Sequence, residues 1–141
     1  MKKVAVVYWS GTGNTAAMAD LVAEGAKAAG AEVSVFTSAD FNAGMMDEFQ
    51  AVAFGCPAMG AEVLEETEFE PMFNECEAKL SGKCIALFGS YGWGDGEWMR
   101  NWEATCKADG AVMACDFVIC NEAPDGDAAE ACKELGAAVA R

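Results

Sequence analysis

The feature that most constrains the fold is a junction near the start of the chain, where an apolar run enters a loop rich in hydroxyls and glycine. The run Val4-Ala5-Val6-Val7-Tyr8-Trp9 is typical of a buried strand, and a helical pattern follows the loop. Backbone N–H groups at a helix start have no partner in the helix, and the helix dipole adds partial positive charge. The junction therefore suits a phosphate, although a turn that merely caps a helix has the same residue types. The loop consists of Ser10, Gly11, Thr12, Gly13, Asn14 and Thr15.

The residues around this loop exclude the two commonest nucleotide motifs. A P-loop needs a lysine directly after its last glycine, but no Lys or Arg occurs between Lys3 and Lys27. A dinucleotide fingerprint needs a third glycine, and Ala16 stands at that position. The sequence therefore favours a terminal monophosphate that is bound by hydroxyls, an amide and backbone N–H groups, without a metal.

The composition indicates that any chemistry belongs to a bound cofactor. The chain has no histidine, which excludes Ser-His-Asp and Cys-His catalysis. Its seven cysteines form no C-x-x-C pair, so zinc and iron–sulfur spacings are absent. Several cysteines fall on apolar faces of predicted helices or strands, and we interpret these as small buried hydrophobic residues.

The chain is strongly acidic, with 9 basic against 23 acidic residues and a net charge of −14. Nucleic acid and anionic membranes are therefore not expected as partners, whereas a basic protein surface is. A run of glutamates precedes Lys79 without any basic residue, and it is interpreted either as a solvated helix face or as a docking surface. This acidic run comprises Glu62, Glu65, Glu66, Glu68, Glu70, Glu75 and Glu77.

The length of 141 residues predicts one domain over residues 1–141. No apolar run approaches the roughly 20 residues of a membrane span, and the basic start is not followed by a signal-peptide pattern. We therefore expect a cytoplasmic location.

Strand and helix patterns alternate along the chain. Such alternation predicts a five-stranded parallel sheet in a doubly wound, three-layer α/β/α fold. Strand order cannot be read from this pattern. Strands are predicted at 3–9, 32–36, 51–54, 84–88 and 112–120; helices are predicted at about 14–29, 69–80, around 99–106 and from 124 onward, with an irregular or helical piece at 41–49.

Three unusual loops, 10–15, 56–62 and 89–96, follow predicted strands and should meet at the carboxyl edge of the sheet, where such folds bind ligands. Trp93 stands between Gly92 and Gly94, which predicts either an aromatic stacking platform or a core residue in a tight turn. Met59 is a candidate contact for the other face of a flat ligand, or a core residue.

Together these motifs resemble a short-chain flavodoxin of anaerobic bacteria. The matching blocks are Tyr8-Trp9-Ser10-Gly11-Thr12-Gly13-Asn14-Thr15, Gly55-Cys56-Pro57-Ala58-Met59-Gly60, Leu64-Glu65-Glu66 with Glu70-Pro71, and Leu87-Phe88-Gly89-Ser90-Tyr91-Gly92-Trp93-Gly94. The resemblance implies strand order 2-1-3-4-5 and one non-covalent flavin mononucleotide (FMN) at the switch point between strands one and three.

The resemblance also implies a role for each site residue. The loop from Ser10 to Thr15 would hold the phosphate, Trp93 would stack on the outer flavin face and Met59 would cover the inner one. Glu62 would accept from the flavin N3–H, and a flip of the Gly60–Ala61 peptide would present the Gly60 carbonyl to the reduced flavin N5–H. The predicted cofactor contacts are Ser10, Gly11, Thr12, Gly13, Asn14, Thr15, Ala58, Met59, Gly60, Ala61, Glu62, Ser90, Tyr91, Gly92, Trp93 and Gly94.

The implied function is that of a low-potential one-electron carrier, not an enzyme. It would cycle between semiquinone and hydroquinone and substitute for ferredoxin. The implied partners are ferredoxin-type oxidoreductases, hydrogenase and a flavodoxin reductase with basic docking faces, met by a monomer. An FMN-dependent small reductase, a flavodoxin-like accessory protein and a cofactor-free interaction domain remain as alternatives.

Overall fold

A computed structural model describes residues 2–60 and 62–141. Strands and helices alternate through most of this part of the chain, as the sequence pattern predicts. The strands are β1 (Lys3–Tyr8), β2 (Glu32–Thr37), β3 (Ala51–Gly55), β4 (Cys84–Tyr91), β5 (Val112–Met113) and β6 (Val118–Asn121); the α-helices are α1 (Asn14–Ala28), α2 (Phe69–Cys76), α3 (Glu97–Ala108) and α4 (Gly126–Ala140). Short 3₁₀ helices cover Ser38–Asp40, Ala43–Glu48 and Glu77–Lys79.

All described strand pairs are parallel, and the sheet order is β2-β1-β3-β4-β5. Strand β1 pairs with β2 through Val4 and Val33, and with β3 through Val4 and Ala51. The predicted doubly wound fold and the implied order 2-1-3-4-5 are therefore confirmed. Strand β2 is added on one side of β1 and β3 on the other, so the strand order switches sides between β1 and β3. A crevice forms at the carboxyl ends of these two strands.

The edge position beyond β4, predicted as one strand over 112–120, is occupied by two short strands. Both β5 and β6 pair with β4. Between β5 and β6, the four residues 114–117 lie opposite only two residues of β4, Ala86 and Leu87. Two residues are therefore extra and form a bulge. An edge strand tolerates such a bulge because one of its sides has no partner strand, and the exposed Asp116 lies within it.

The two faces of the sheet hold separate apolar cores. Phe54, Phe73 and Trp102 belong to the core under α2 and α3, whereas Val6 and Leu135 belong to the core under α1 and α4. The alternation along β1 distributes side chains between both cores, since successive strand residues point to opposite faces. Burial of these side chains stabilises the fold by roughly 1.5–3 kcal/mol for each large one.

Helices α1 and α4 approach closely through two glycines. A Cβ added at Gly25 would lie 2.0 Å from the Lys133 carbonyl oxygen, and one added at Gly136 would lie 2.0 Å from the Val22 carbonyl oxygen. The absence of side chains at these positions thus sets the distance between the helices.

The cysteines are free, and five of them, Cys56, Cys76, Cys106, Cys120 and Cys132, are buried. Burial is the main cause that raises the pKa of Cys56, Cys76, Cys106 and Cys132 to about 12. These thiols stay protonated at neutral pH and are poor nucleophiles, which confirms their interpretation as hydrophobic residues. Within residues 2–60 and 62–141, no helix is long and apolar enough to span a membrane.

Candidate functional site

The three loops singled out in the sequence meet at the carboxyl edge of the sheet and form a cleft. This cleft lies where β1, β3 and β4 end, at the predicted switch point. It contains many of the predicted contacts together with Trp9, Pro57 and Glu122, to which the sequence pattern assigns no contact. Its described lining residues are Trp9, Ser10, Gly11, Thr12, Asn14, Thr15, Pro57, Ala58, Met59, Ser90, Tyr91, Gly92 and Glu122.

The loop before α1 leaves the helix start available to an anion. Gly13 adopts a left-handed conformation, with φ +100°, and its N–H donates to Ser10 Oγ at 3.1 Å. Among the described residues, no side chain accepts from the N–H groups of residues 14–16. A loop that merely capped the helix would supply such an acceptor, so this geometry favours phosphate binding.

Loop 10–15, the predicted phosphate loop, is connected to the end of β4 by hydrogen bonds. Thr15 is 1% exposed, and its Oγ1 accepts from the Ser90 N–H at 3.4 Å. Ser90 is also buried, and its Oγ donates to the Glu122 carbonyl at 2.6 Å. These bonds join the first loop, β4 and the segment after β6, so one side of the cleft is held together by hydroxyl groups.

The second loop continues the pairing of β3 with β4 beyond the strand end. The Cys56 N–H donates to the Phe88 carbonyl, and the Ala58 N–H donates to the Ser90 carbonyl, both at 3.1 Å. This extension brings Ala58, and Met59 after it, to the wall of the cleft. Met59 is half-buried there, which suits a contact with a flat apolar ligand.

A tight hairpin follows Met59. Met59 and Val63 exchange two backbone hydrogen bonds, of 2.9 and 3.0 Å, that close the loop. Gly60 and Glu62 both have left-handed backbones, with φ +50° and +55°. Ala61 and the predicted flip of the Gly60–Ala61 peptide lie outside the described residues. The positive φ at position 60 accounts for a glycine there.

The Glu62 carboxylate lies at the start of α3. Its Oε1 accepts from the Gly96 N–H at 3.3 Å and from the Glu97 N–H at 3.2 Å. The carboxylate also lies beside Gly94, since a Cβ added there would be 2.6 Å from Glu62 Cδ. Glu62 therefore fixes the second loop to α3, and its role toward flavin N3–H stays a prediction. A carboxylate has acceptor positions for both uses.

Trp93 lies on the surface of the third loop, and 64% of its side chain is exposed. This exposure rules out the alternative of a core residue. The indole of Trp98, by contrast, is buried, donates to the Cys56 carbonyl at 3.1 Å and contacts the Tyr91 ring. A large exposed ring beside an apolar cleft is typical of a stacking platform.

The acidic run is not uniformly solvated. Glu65 is 4% exposed, and its carboxylate accepts from the backbone N–H groups of Thr67, Glu68 and Phe69 and from the Thr67 hydroxyl. Burial alone would raise the pKa of Glu65, but these hydrogen bonds outweigh it and lower the pKa. Neither interpretation offered for the run covers this buried structural carboxylate.

The cleft as a whole fits a flat mononucleotide. It combines hydroxyls, an uncapped helix start and an apolar wall, and none of its described lining residues is basic. A phosphate bound there would meet neutral donors. Fold and site together define a small mononucleotide-binding protein of the doubly wound class.

Comparison with known proteins identifies the family. Residues 6–136 match the Flavodoxin family. The flavodoxin of Clostridium beijerinckii is 46% identical over 135 residues, covering 96% of this chain and 97% of its own; that of Megasphaera elsdenii is 46% identical over 138 residues, covering 98% of each. The solution structure of two-electron reduced Megasphaera elsdenii flavodoxin superposes with a TM-score of 0.90 at 47% identity, covering 97% of this chain and 98% of that one.

The chain belongs to the flavodoxin family. It is an FMN-binding electron carrier that exchanges electrons with redox partners, not an enzyme with its own substrate. These relatives confirm the main interpretation drawn from the sequence and do not support the small-reductase or accessory-protein alternatives.

Proposed function

We propose that this chain carries electrons one at a time and at low potential, as a single cytoplasmic domain that substitutes for ferredoxin. The observation that supports the proposed site most directly is the uncapped start of α1, which adjoins a cleft with Met59 on its wall and Trp93 exposed nearby. FMN, when bound, supplies the ability to accept and donate single electrons. The residues around it bind it, orient it and limit its contact with water.

For the phosphate we propose a site made by loop 10–15. Ser10, Thr12 and Thr15 would donate from hydroxyls, Asn14 from its amide, and the helix start from backbone N–H groups. Such a site binds the dianion through dipoles and leaves its charge without a basic counter-ion.

For the ring we propose that Met59 and Trp93 cover its two faces and that Gly60, Ala61 and Glu62 meet its polar edge, with Tyr91, Gly92 and Gly94 beside it. The positions of Met59 on the cleft wall and of Trp93 on the surface support this arrangement. An apolar cover beside nearby carboxylates disfavours added negative charge, so the second electron would enter at a lower potential than the first.

For the partners we propose redox proteins with basic docking faces, namely ferredoxin-type oxidoreductases, hydrogenase and a flavodoxin reductase, met by a monomer. The net charge of −14 supports this choice, as does the exposure of Glu66 and Glu68 near the phosphate-loop side of the molecule. Opposite charges steer association and hold the docked partner in register.

The test is a stepwise anaerobic titration of the FMN-loaded protein with dithionite, followed by visible absorbance. We expect a long-wavelength band of the one-electron state at half-reduction and bleaching after the second electron. Direct bleaching without that band would contradict one-electron transfer. A protein that neither contains flavin nor takes up added FMN would contradict the proposed site.

A further inference from the structure

A hydrogen bond connects the acidic run to the phosphate loop. The indole Nε1–H of Trp9 donates to Glu68 Oε1 at 3.1 Å. Trp9 is the last residue before the loop, and its backbone N–H donates to the Gly55 carbonyl at 3.0 Å. Both ends of Trp9 are therefore fixed, the backbone by β3 and the side chain by Glu68.

The Trp9 ring packs against the loop itself. A Cβ added at Gly11 would lie 3.0 Å from Trp9 Cη2 and 3.2 Å from Cζ3, so the ring rests on the α-carbon of Gly11. The ring thus leaves too little room for a β-carbon at position 11, and close packing of this kind restricts where the loop can move. The position of the Trp9 ring consequently limits the conformations available to Ser10, Gly11 and Thr12.

Glu68 lies in a different cleft from the one proposed for the cofactor. Trp9, Ser10, Gly11 and Thr12 line both the cofactor cleft and a second, more polar cleft. Glu68 lines the second cleft and is not among the described residues of the first. It therefore reaches the cofactor cleft through the Trp9 ring.

The position of Glu68 is itself fixed by the buried Glu65. The Glu68 backbone N–H donates to Glu65 Oε1 at 2.7 Å, and the neighbouring Phe69 N–H donates to the same oxygen at 2.8 Å. A carboxylate that accepts several backbone donors holds its segment rigidly. A continuous set of contacts thus runs from Glu65 through Glu68 and Trp9 to Gly11.

We infer that Glu68 is a positioning residue for phosphate binding: its bond to the Trp9 indole holds that ring against Gly11 and keeps loop 10–15 in the shape that receives the phosphate. The inference rests on the proposed phosphate site. It gives this acidic residue a role that its negative charge alone would oppose, since a carboxylate near a phosphate repels it.

Four variants separate the hydrogen bond from the charge. Glu68→Ala removes both, Glu68→Gln keeps an acceptor without charge, and Trp9→Phe removes the donor but keeps a ring. Glu66→Ala is the matched control, because Glu66 is an exposed neighbour and makes none of the described side-chain hydrogen bonds. The dissociation constants of FMN and riboflavin are measured for each, since riboflavin lacks the phosphate.

We expect Glu68→Ala and Trp9→Phe to weaken FMN binding roughly three- to tenfold, the size of one ordinary net hydrogen bond, because the Glu68 carboxylate is exposed. Riboflavin binding should change less than twofold. Glu68→Gln should restore the parent's ratio of the riboflavin dissociation constant to the FMN dissociation constant, or exceed it. Glu66→Ala should leave this ratio unchanged or raise it slightly. The double variant of Trp9→Phe and Glu68→Ala should be no weaker than the worse single variant.

Several results would overturn the inference. Equal weakening of FMN and riboflavin binding would mean that the variants loosen the fold in general, and unchanged dissociation constants for both would mean that the bond does not position the loop. If the parent protein itself bound FMN and riboflavin equally well, the proposed phosphate site would fail and this inference with it. A parent protein that discriminates while its variants keep the same ratio would overturn the inference alone.

Discussion

At the scale of single residues, Gly60 shows how backbone conformation and function meet. Its φ of +50° disfavours residues with a β-carbon, yet a Cβ built there has no atom within 4 Å. The left-handed backbone conformation, and not a lack of space, therefore explains the glycine at this position. A loop that must change its peptide orientation when the flavin is reduced would need this freedom.

We predict that Gly60→Thr lowers the yield of the one-electron state at half-reduction. If the Gly60 carbonyl bonds reduced flavin, losing about 1 kcal/mol of that bond shifts the first potential by about 45 mV. The measurement is the dithionite titration described above. Gly82→Thr is the control, because Gly82 has a φ of +76° and open space but is not among the described lining residues of the cleft. Equal yields in both variants and the parent would contradict the role of Gly60.

We predict that Trp93→Ala weakens FMN binding about tenfold and leaves the free energy of unfolding of the apoprotein within about 0.5 kcal/mol of the parent value. The exposed side chain contributes a stacking surface and little to the core. Flavin fluorescence titration and urea unfolding are the measurements, with buried Trp98→Phe as the contrast that should lose stability. A destabilised Trp93→Ala apoprotein with normal FMN affinity would reverse this assignment.

At the scale of elements, the ends of α2 and α3 meet through two carboxyl groups. The Glu77 and Asp109 carboxyl groups lie close enough to share a proton. Burial first, then this contact and the charges of Asp109 and Glu70, raise the pKa of Glu77. Asp109 Oδ2 is buried and, among the residues described, has no hydrogen-bond partner. The contact between the two carboxyl groups therefore favours the protonated state of Glu77.

We predict that Asp109→Asn stabilises the protein by about 0.5–1 kcal/mol at pH 7, because the amide supplies the missing donor. A raised pKa means that the folded state binds more protons than the unfolded state, so stability falls as pH rises above the ordinary glutamate value. The gain should consequently shrink as pH falls toward that value. Urea unfolding at pH 7 and at a pH near the ordinary pKa of glutamate measures this gain in stability. The substitution Asp20→Asn, at an exposed residue, is the control. A gain that is equal at both pH values would contradict the shared proton.

The elements also show what the sequence pattern can and cannot predict. The apolar runs predict the bounds of β1 to β4 to within a few residues of those observed, because buried parallel strands are continuous apolar segments. Asp116 interrupts the apolar pattern of Val112–Cys120, but one charged residue does not define a bulge, which depends on pairing with β4. Likewise the phosphate loop follows from local residue types, whereas the bond of Trp9 to Glu68 joins positions far apart in sequence.

At the scale of the whole molecule, the proposed docking of redox partners depends on charge. The net charge of −14 acts over a chain of 141 residues, and the described ion pairs neutralise few of the acidic side chains. Exposed pairs of this kind also contribute little to stability. The surplus of acid is better explained by association than by folding.

We predict that the rate of electron transfer from the reduced protein to a basic haem protein falls at least tenfold when ionic strength rises from about 10 mM to about 0.5 M. Salt shortens the reach of the surface field to a few ångströms and so removes steering. Stopped-flow absorbance measures the second-order rate. Ferricyanide is the control, because it is an anion and its rate should rise over the same range as repulsion is screened. If both oxidants responded to salt in the same direction, a nonspecific effect of salt on the flavin would explain the result, and docking through the acidic surface would be contradicted.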